Sequence, residues 1–279
     1  MFRLGLIGDN IKRSKSPMLH RLAGQLCGLD VTYEPLIPAD MGLDFDAVFD
    51  QCRESGFRGI NITYPYKERV FPALNVPDPR VRAIAACNTV IFDADGPSGT
   101  NTDYTGFVAA FRESLPGMTP GTVAMAGAGG VGKAVAFALA ELKATALHIF
   151  DTDAVRAEAL ANAIRANAPG MSVSVSPTIE DATEGADGIV NCTPLGMTGI
   201  PGTAVPLTLM PKAGWAFDAV YTPVDTQFLM DAQKRGLATI SGYELFFHQG
   251  IDAFHAFTGA RVDTKELRHA LKAEALEQA

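Results

Sequence analysis

The chain has 279 residues, 47% of them hydrophobic and 19% charged, with a formal net charge of −8. That describes a globular protein long enough for two domains. With no Lys/Arg cluster against the negative balance it excludes a nucleic-acid face, and with no apolar run long enough to span a bilayer it excludes a membrane anchor of that kind. The cysteines, Cys27, Cys52, Cys87 and Cys192, are widely spaced without a C-x-x-C pair, and the five histidines form no H-E-x-x-H arrangement. Reduced core thiols, a cytoplasmic location, no signal peptide and no metal site are therefore expected.

In chain order, Phe2–Ile7 reads as a strand, and Ser16–Cys27 as a helix with Pro17 at its first position. Val31–Ile37 is a second strand, Leu43–Ser55 a helix with one apolar face, and Gly59–Thr63 a short third strand. Strand signal returns at Asn88–Phe92 before the turn Asp93-Ala-Asp-Gly-Pro97. This indicates an α/β domain with a mixed sheet. Asp103 opens a helix through Leu115, and Pro116-Gly-Met-Thr-Pro-Gly121 reads as a linker. Beyond it, strands at Thr122–Ala126, Ala146–Phe150, Ser172–Ser176, Gly188–Cys192 and Trp215–Val220 are interleaved with helices, Asp153–Ala168 being the clearest. That alternation predicts a Rossmann-like, doubly wound domain. The mainly helical last forty residues are expected to return to the first domain. The expected division is 1–103 with 238–279, and 104–237.

The most informative segment is Gly127-Ala128-Gly129-Gly130-Val131-Gly132. It follows an apolar strand and opens a helix, the context in which G-x-G-x-x-G makes a tight turn, admits a pyrophosphate and lets helix and strand pack closely. The helix N-terminus adds free N–H groups and a positive dipole end. Asp151, at the end of the next strand, would accept hydrogen bonds from a ribose 2′-OH and meet a 2′-phosphate as like charge. The chemistry favours NAD over NADP.

Polar candidates cluster in the first domain. Asn61-Ile-Thr63-Tyr-Pro65-Tyr-Lys67 leaves a strand end and reaches a lysine in one short turn; strand alternation puts Asn61 and Thr63 on one face. In isolation Lys67 reads as a solvated surface lysine; beside a secondary alcohol it is a general acid/base. Asp103, in Thr100-Asn-Thr-Asp103, is either a helix N-cap or the carboxylate that holds Lys67, and both readings stand. Ser14-Lys-Ser16-Pro17 is either a helix start or an anion cradle. Gln249, an amide in an apolar helix, needs hydrogen-bond partners; either substrate hydroxyls supply them, or it caps or bonds to backbone. His248 and His255 read as packing or surface residues.

Taken together and in this order, Ser-x-Ser-Pro, Asn-x-Thr-x-Pro-x-Lys, Asn88-Thr, Asn-Thr-Asp103, Gly-Ala-Gly-Gly, Asn191-Cys-Thr-Pro-Leu-Gly-Met197 and His-Gln-Gly250 resemble the shikimate dehydrogenase family, including its quinate/shikimate branch. The resemblance implies Lys67 and Asp103 as catalytic pair, and Ser14, Ser16 and Tyr221 as carboxylate ligands. Asn61, Thr63, Asn88 and Gln249 would read ring hydroxyls. Thr193, Pro194, Leu195, Met197, Val220 and Gly242 would line the nicotinamide. The implied reaction is reversible oxidation of shikimate or quinate, a hydroxylated ring carboxylate, to the 3-dehydro ketone. Where NADP-using members carry an Asn-Arg-Thr-like stretch this chain has Asp151-Thr152-Asp153, which agrees with NAD; Arg156 either stacks near the adenosine or covers its helix. Arg21 stands where Asn is common, and Leu245 where Met is. Ser16, Thr in some quinate-accepting members, leans toward shikimate, whereas NAD suits catabolic oxidation. A paralogue acting on an aminoshikimate and a non-catalytic NAD sensor are the alternatives. Monomer and homodimer both fit.

Overall fold

A computed structural model describes residues 1–277. It divides into two units, Met1–Thr102 with Gln249 onward, and Asp103–His248. In the first, β1 (Phe2–Ile7), α1 (Ser16–Leu26), β2 (Val31–Leu36), α2 (Pro38–Met41), α3 (Phe45–Glu54), β3 (Gly59–Ile62), α4 (Pro79–Ile84), β4 (Thr89–Asp93) and β5 (Gly96–Thr100) follow one another. The sheet order is β2-β1-β3-β4-β5. β1 is parallel to β2 and β3, while β4 is antiparallel to β3 and β5, so the sheet is mixed.

Local chemistry explains these elements. Asp44 caps α3 by accepting the Ala47 N–H at 2.8 Å. Phe45, Val48, Phe49 and Cys52 then recur at i, i+3, i+4 and i+7 and are all buried. They join Ile7, Ile60, Ile62 and Val90 in one core. The sequence reading leaves out β5, whose Gly-Pro-Ser-Gly-Thr composition is poor in strand formers. It forms because the chain reverses between Asp93 and Gly96, where φ is 105°, and pairs back along β4.

In the second unit α5 (Thr102–Ser114) leads to β6 (Thr122–Ala126), α6 (Gly130–Glu141), β7 (Ala146–Phe150), α7 (Ala154–Asn167), β8 (Ser172–Val175), α8 (Ile179–Thr183), β9 (Gly188–Asn191), β10 (Trp215–Asp218), α9 (Gln227–Lys234) and β11 (Ala238–Ile240). Every pair in its sheet is parallel, in the order β11-β10-β9-β6-β7-β8. That is the doubly wound dinucleotide-binding order, reversing between β6 and β9. Most of β6 and all of β9 and β10 are buried, as strands covered on both faces require. Phe107 and Phe111 of α5 meet Phe217 and Trp215 of β10 edge-on, with centroids 4.8 and 5.0 Å apart. Pro116–Gly121 is thus a connection inside this unit, and the Pro120 carbonyl accepts the buried Trp215 indole N–H at 3.0 Å.

The expected division at 237/238 is displaced. β11 pairs with β10, so residues from 238 through His248 belong to the second unit, and the boundary falls inside α10 (Gly242–Thr258). The rest of α10 and α11 (Thr264–Glu277) join the first unit. There Arg21 of α1 pairs with Glu274 of α11 at 2.8 Å, which gives that arginine a local role. Among the described residues no helix is long and apolar enough to cross a membrane.

The return of α10 rests on a close contact. A Cβ on Gly59 of β3 would stand 2.5 Å from the Phe257 ring and 2.7 Å from the Val90 carbonyl oxygen. Gly59→Ala is expected to cost about 1–3 kcal/mol by overpacking, read as a lower urea midpoint at unchanged slope. An unaltered midpoint would show that Phe257 yields freely.

Candidate active site

The topology of the first unit carries its polar candidates to one edge of the sheet. β1 and β3 run parallel, so Gly8 onward and Thr63 onward leave the same edge. β4 runs the other way and begins there at Thr89, opposite Asn61, while β5 ends there at Thr100, opposite Thr89. Ser14, Ser16, Asn61, Thr63, Lys67, Asn88 and the Thr100–Thr102 segment are therefore neighbours in the fold although far apart in sequence.

A buried amide network holds this edge. Asn88 is 2% exposed. Its Oδ1 accepts the Thr102 N–H at 2.7 Å, and its Nδ2 donates to Thr102 Oγ1 at 3.0 Å and more weakly to Gln249 Oε1 at 3.4 Å. Asn61 donates through Nδ2 to the Asn88 carbonyl and Thr89 Oγ1, and its Oδ1 accepts from the Tyr33 hydroxyl at 2.8 Å. Tyr33 stacks on His20, centroids 4.6 Å apart. Burial pushes the His20 pKa down to about 3, so this ring is neutral. Asn61 is thus turned into the protein, whereas Gln249 is only partly buried.

The two loops beside the network are tied together. Tyr66 donates to Asp9 Oδ1 at 2.6 Å, and that bond raises the Tyr66 pKa to about 12. The Asp9 N–H meets the Tyr64 carbonyl, the Tyr66 N–H closes on the Thr63 carbonyl, and the Lys67 carbonyl accepts the Cys87 N–H. The main chain on both sides of the Lys67 side chain is therefore fixed. The Ser14 and Ser16 hydroxyls lie 3.1 Å apart, and Ser14 Oγ accepts the Ser16 N–H at 3.2 Å. Lys15 is the N-cap of α1 and makes no side-chain cap bond, so Ser16 does not cap this helix. Asp103 lies in the first turn of α5, one residue inside the helix rather than at its cap, and is 5% exposed.

In the second unit the glycines divide the expected labour. Gly127 turns the chain with φ of 98°. Gly132 lets α6 approach: a Cβ there would collide with the Gly127 carbonyl oxygen. Gly129 is the N-cap of α6, and a Cβ on it would meet nothing within 4 Å. Open space over a glycine N-cap, with Gly130 and Val131 starting the helix, fits a pyrophosphate. Asp151 Oδ2 accepts the Ala128 N–H at 2.7 Å and Oδ1 the Asp153 N–H at 2.9 Å. The acid therefore braces the glycine turn while keeping lone pairs for a ribose. Thr152 and Arg156 are exposed beside it, Asp153 capping α7 through the Val155 and Arg156 N–H groups.

β9 and β10 release Thr193, Pro194, Leu195, Met197 and Val220 from the carboxyl edge of the same sheet. Gly242 packs beneath: a Cβ there would collide with the Val220 carbonyl oxygen. Tyr221 stacks on Phe246 with centroids 5.1 Å apart. Asp218, fully buried, accepts from Asn191, Val220 and Thr226, and burial raises its pKa to about 6 against those three bonds. The sequence reading misses Asp218 and Tyr33; an acid closing the apolar run Trp215-Ala-Phe-Asp218 is the signal that marks the first. It also reads His248 as packing or surface, and its Nε2 lies 3.1 Å from Glu113 Oε2. The four cysteines form no disulfide, and burial lifts the Cys52 and Cys87 thiols to about 12, far from reactive values.

Residues 6–90 match the family model described as the shikimate dehydrogenase substrate binding domain. The chain is 40% identical over 271 residues, 95% of each protein, to the quinate/shikimate dehydrogenase (NAD(+)) of Corynebacterium efficiens. It is 36% identical over 283 residues, 99% of this chain and 97% of the relative, to the shikimate dehydrogenase (NADP(+)) of Pseudarthrobacter chlorophenolicus. Its fold superposes with a TM-score of 0.88, at 37% identity over 98% of this chain and 99% of the other, on quinate dehydrogenase from Corynebacterium glutamicum in complex with NAD. The Thermus thermophilus shikimate 5-dehydrogenase in complex with NADP(H) and shikimate gives 0.84 at 32% identity, over 98% and 99%. A buried amide network on one sheet edge, a glycine-capped α6 and relatedness over nearly the whole length agree: the chain belongs to the shikimate dehydrogenase family of oxidoreductases.

Proposed function

We propose that this protein is an NAD-dependent dehydrogenase that reversibly oxidises a ring hydroxyl of shikimate or quinate to the 3-dehydro ketone. The observation that carries the reading is the buried amide network of the first unit beside the anchored Lys67 turn. A ring bearing several hydroxyls needs such a rigid set of donors and acceptors.

In this reading Ser14 and Ser16 hold the substrate carboxylate through their adjacent hydroxyls, with Tyr221 assisting. Thr63, Asn88 and Gln249 read the ring hydroxyls. Asn61 donates both amide hydrogens, to the Asn88 carbonyl and Thr89 Oγ1, so its first task is to brace Asn88, and a ring hydroxyl meets it through the remaining lone pair of Oδ1. The Lys67 amine takes the proton from the reacting hydroxyl and returns it in the reverse direction, and Asp103 steadies the resulting ammonium. NAD, when bound, supplies the hydride acceptor. Gly127, Ala128, Gly129, Gly130 and Val131 hold its pyrophosphate, and Asp151, with Thr152 and Arg156 beside it, its adenosine ribose. Thr193, Pro194, Leu195, Met197, Val220 and Gly242 form the wall for the nicotinamide. A cytoplasmic location belongs to the same reading, supported by four cysteines outside any disulfide.

The preference for NAD rests on the Asp151 charge. Two like charges about 4 Å apart near a protein surface repel by about 4 kcal/mol. Asp151→Asn keeps an acceptor for the glycine turn and removes the charge, so the NADP/NAD ratio of kcat/KM is expected to rise at least about tenfold. An unchanged ratio would show that other residues set the choice. For the chemical step, Lys67→Ala should lower kcat by about 10²–10⁴ with folding intact by circular dichroism. Full turnover by that variant would overturn the assignment of the base.

A further inference from the structure

Asp218 is a buried carboxylate with no cation among the groups that bond it. Its Oδ1 accepts from Asn191 Nδ2 and from the Val220 N–H, both at 2.9 Å, and its Oδ2 accepts from Thr226 Oγ1 at 2.5 Å. An acid sealed from water without a counter-charge is costly, and an apolar residue would close the strand at less expense. What the carboxylate provides in return is a single rigid acceptor that ties the ends of β9 and β10 to the start of α9.

The bonds continue outward in a definite pattern. Asn191, wholly buried at the end of β9, also donates through Nδ2 to the Leu195 carbonyl at 3.1 Å. Its Oδ1 accepts the Thr193 N–H at 2.9 Å and the Thr193 hydroxyl at 2.7 Å. Thr193 Oγ1 in turn accepts the Leu195 N–H at 3.2 Å. The amide of Asn191 therefore has its whole hydrogen-bonding capacity engaged, and its orientation is set by Asp218. On the other side the Val220 N–H is held by the same carboxylate, while the Val220 carbonyl lies against Gly242. Thr226, the third donor, caps α9 by accepting the Leu229 N–H at 3.3 Å, so the chain beyond Tyr221 is anchored as well.

We propose that Asp218 is a positioning residue for the nicotinamide end of the cofactor, acting through Asn191 on the 193–197 segment and through the Val220 N–H on the 220–221 segment. The inference rests on the reading that these segments face nicotinamide. The glycine turn packs against Cys192 and Thr193, but neither it nor Asp151 hydrogen-bonds to Asp218, Thr193 or Val220. Loss of Asp218 should therefore loosen one end of the cofactor site and spare the other.

Calorimetric titration with NADH and with ADP-ribose, which has the adenosine and pyrophosphate but no nicotinamide, separates the two ends. Asp218→Ala is expected to weaken NADH about tenfold while ADP-ribose stays within about twofold of the wild type. Asp218→Asn keeps an oxygen for Asn191 and Val220 and an N–H for Thr226, and should restore most of the NADH affinity. If Asp218→Ala does not fold, Asn191→Ala cuts the same brace on the loop side and must give the same split. Equal losses for both ligands, or no loss for either, would overturn the inference. Wild-type protein that binds ADP-ribose but gains nothing from the nicotinamide would overturn the placement of that ring, a different result from failure of the variants.

Discussion

A side-chain amide sealed from water must find its partners inside the protein, and Asn88 finds them on segments widely separated in sequence. It takes the first N–H of α5, donates to the Thr102 hydroxyl and reaches Gln249, while its own carbonyl is held by Asn61. The exit of β3, the start of β4 and the start of α5 cannot move independently without leaving a buried polar group unsatisfied, at a cost of about 1–3 kcal/mol each. Thr63, Lys67 and Asn88 are carried on these segments, so the rigidity of that part of the candidate site follows from this network. Asp218 has the corresponding place in the other unit, with three donors around one carboxylate at the end of β10.

Both hubs stand where open α/β sheets present their strand ends. In the second unit the order reverses between β6 and β9, and the glycine turn and the Thr193 segment leave on either side of that point. In the first, the antiparallel β4 and β5 bring the Asn88 and Thr100–Thr102 segments to the edge from which β1 and β3 leave. A protein that merely sensed NAD would need the second arrangement and would have no use for the first. That asymmetry accords with membership of a family of oxidoreductases.

What was legible in the sequence is what has a local cause. The glycines of 127–132 carry their roles in their own backbone requirements, and the structure adds only that Asp151 also braces the turn they make. Apolar periodicity marked α3 and α7 because each buries one stripe. β5 and β11 went unread because a strand of two glycines and a proline, and one of three residues, owe their existence to the neighbour they pair with. Tyr33 carries no mark in the sequence beyond being an aromatic on a strand; its role depends on Asn61, which reaches it only through sheet register. Arg21 had no reading until α11 supplied Glu274.

The most direct test is the initial rate of NAD(P)H formation, followed by absorbance, with shikimate and quinate each offered with NAD and with NADP. NADH formation is expected with at least one of the two acids, with a higher kcat/KM for NAD than for NADP. Absence of reduced cofactor in all four mixtures, from protein that is folded by circular dichroism, would contradict it.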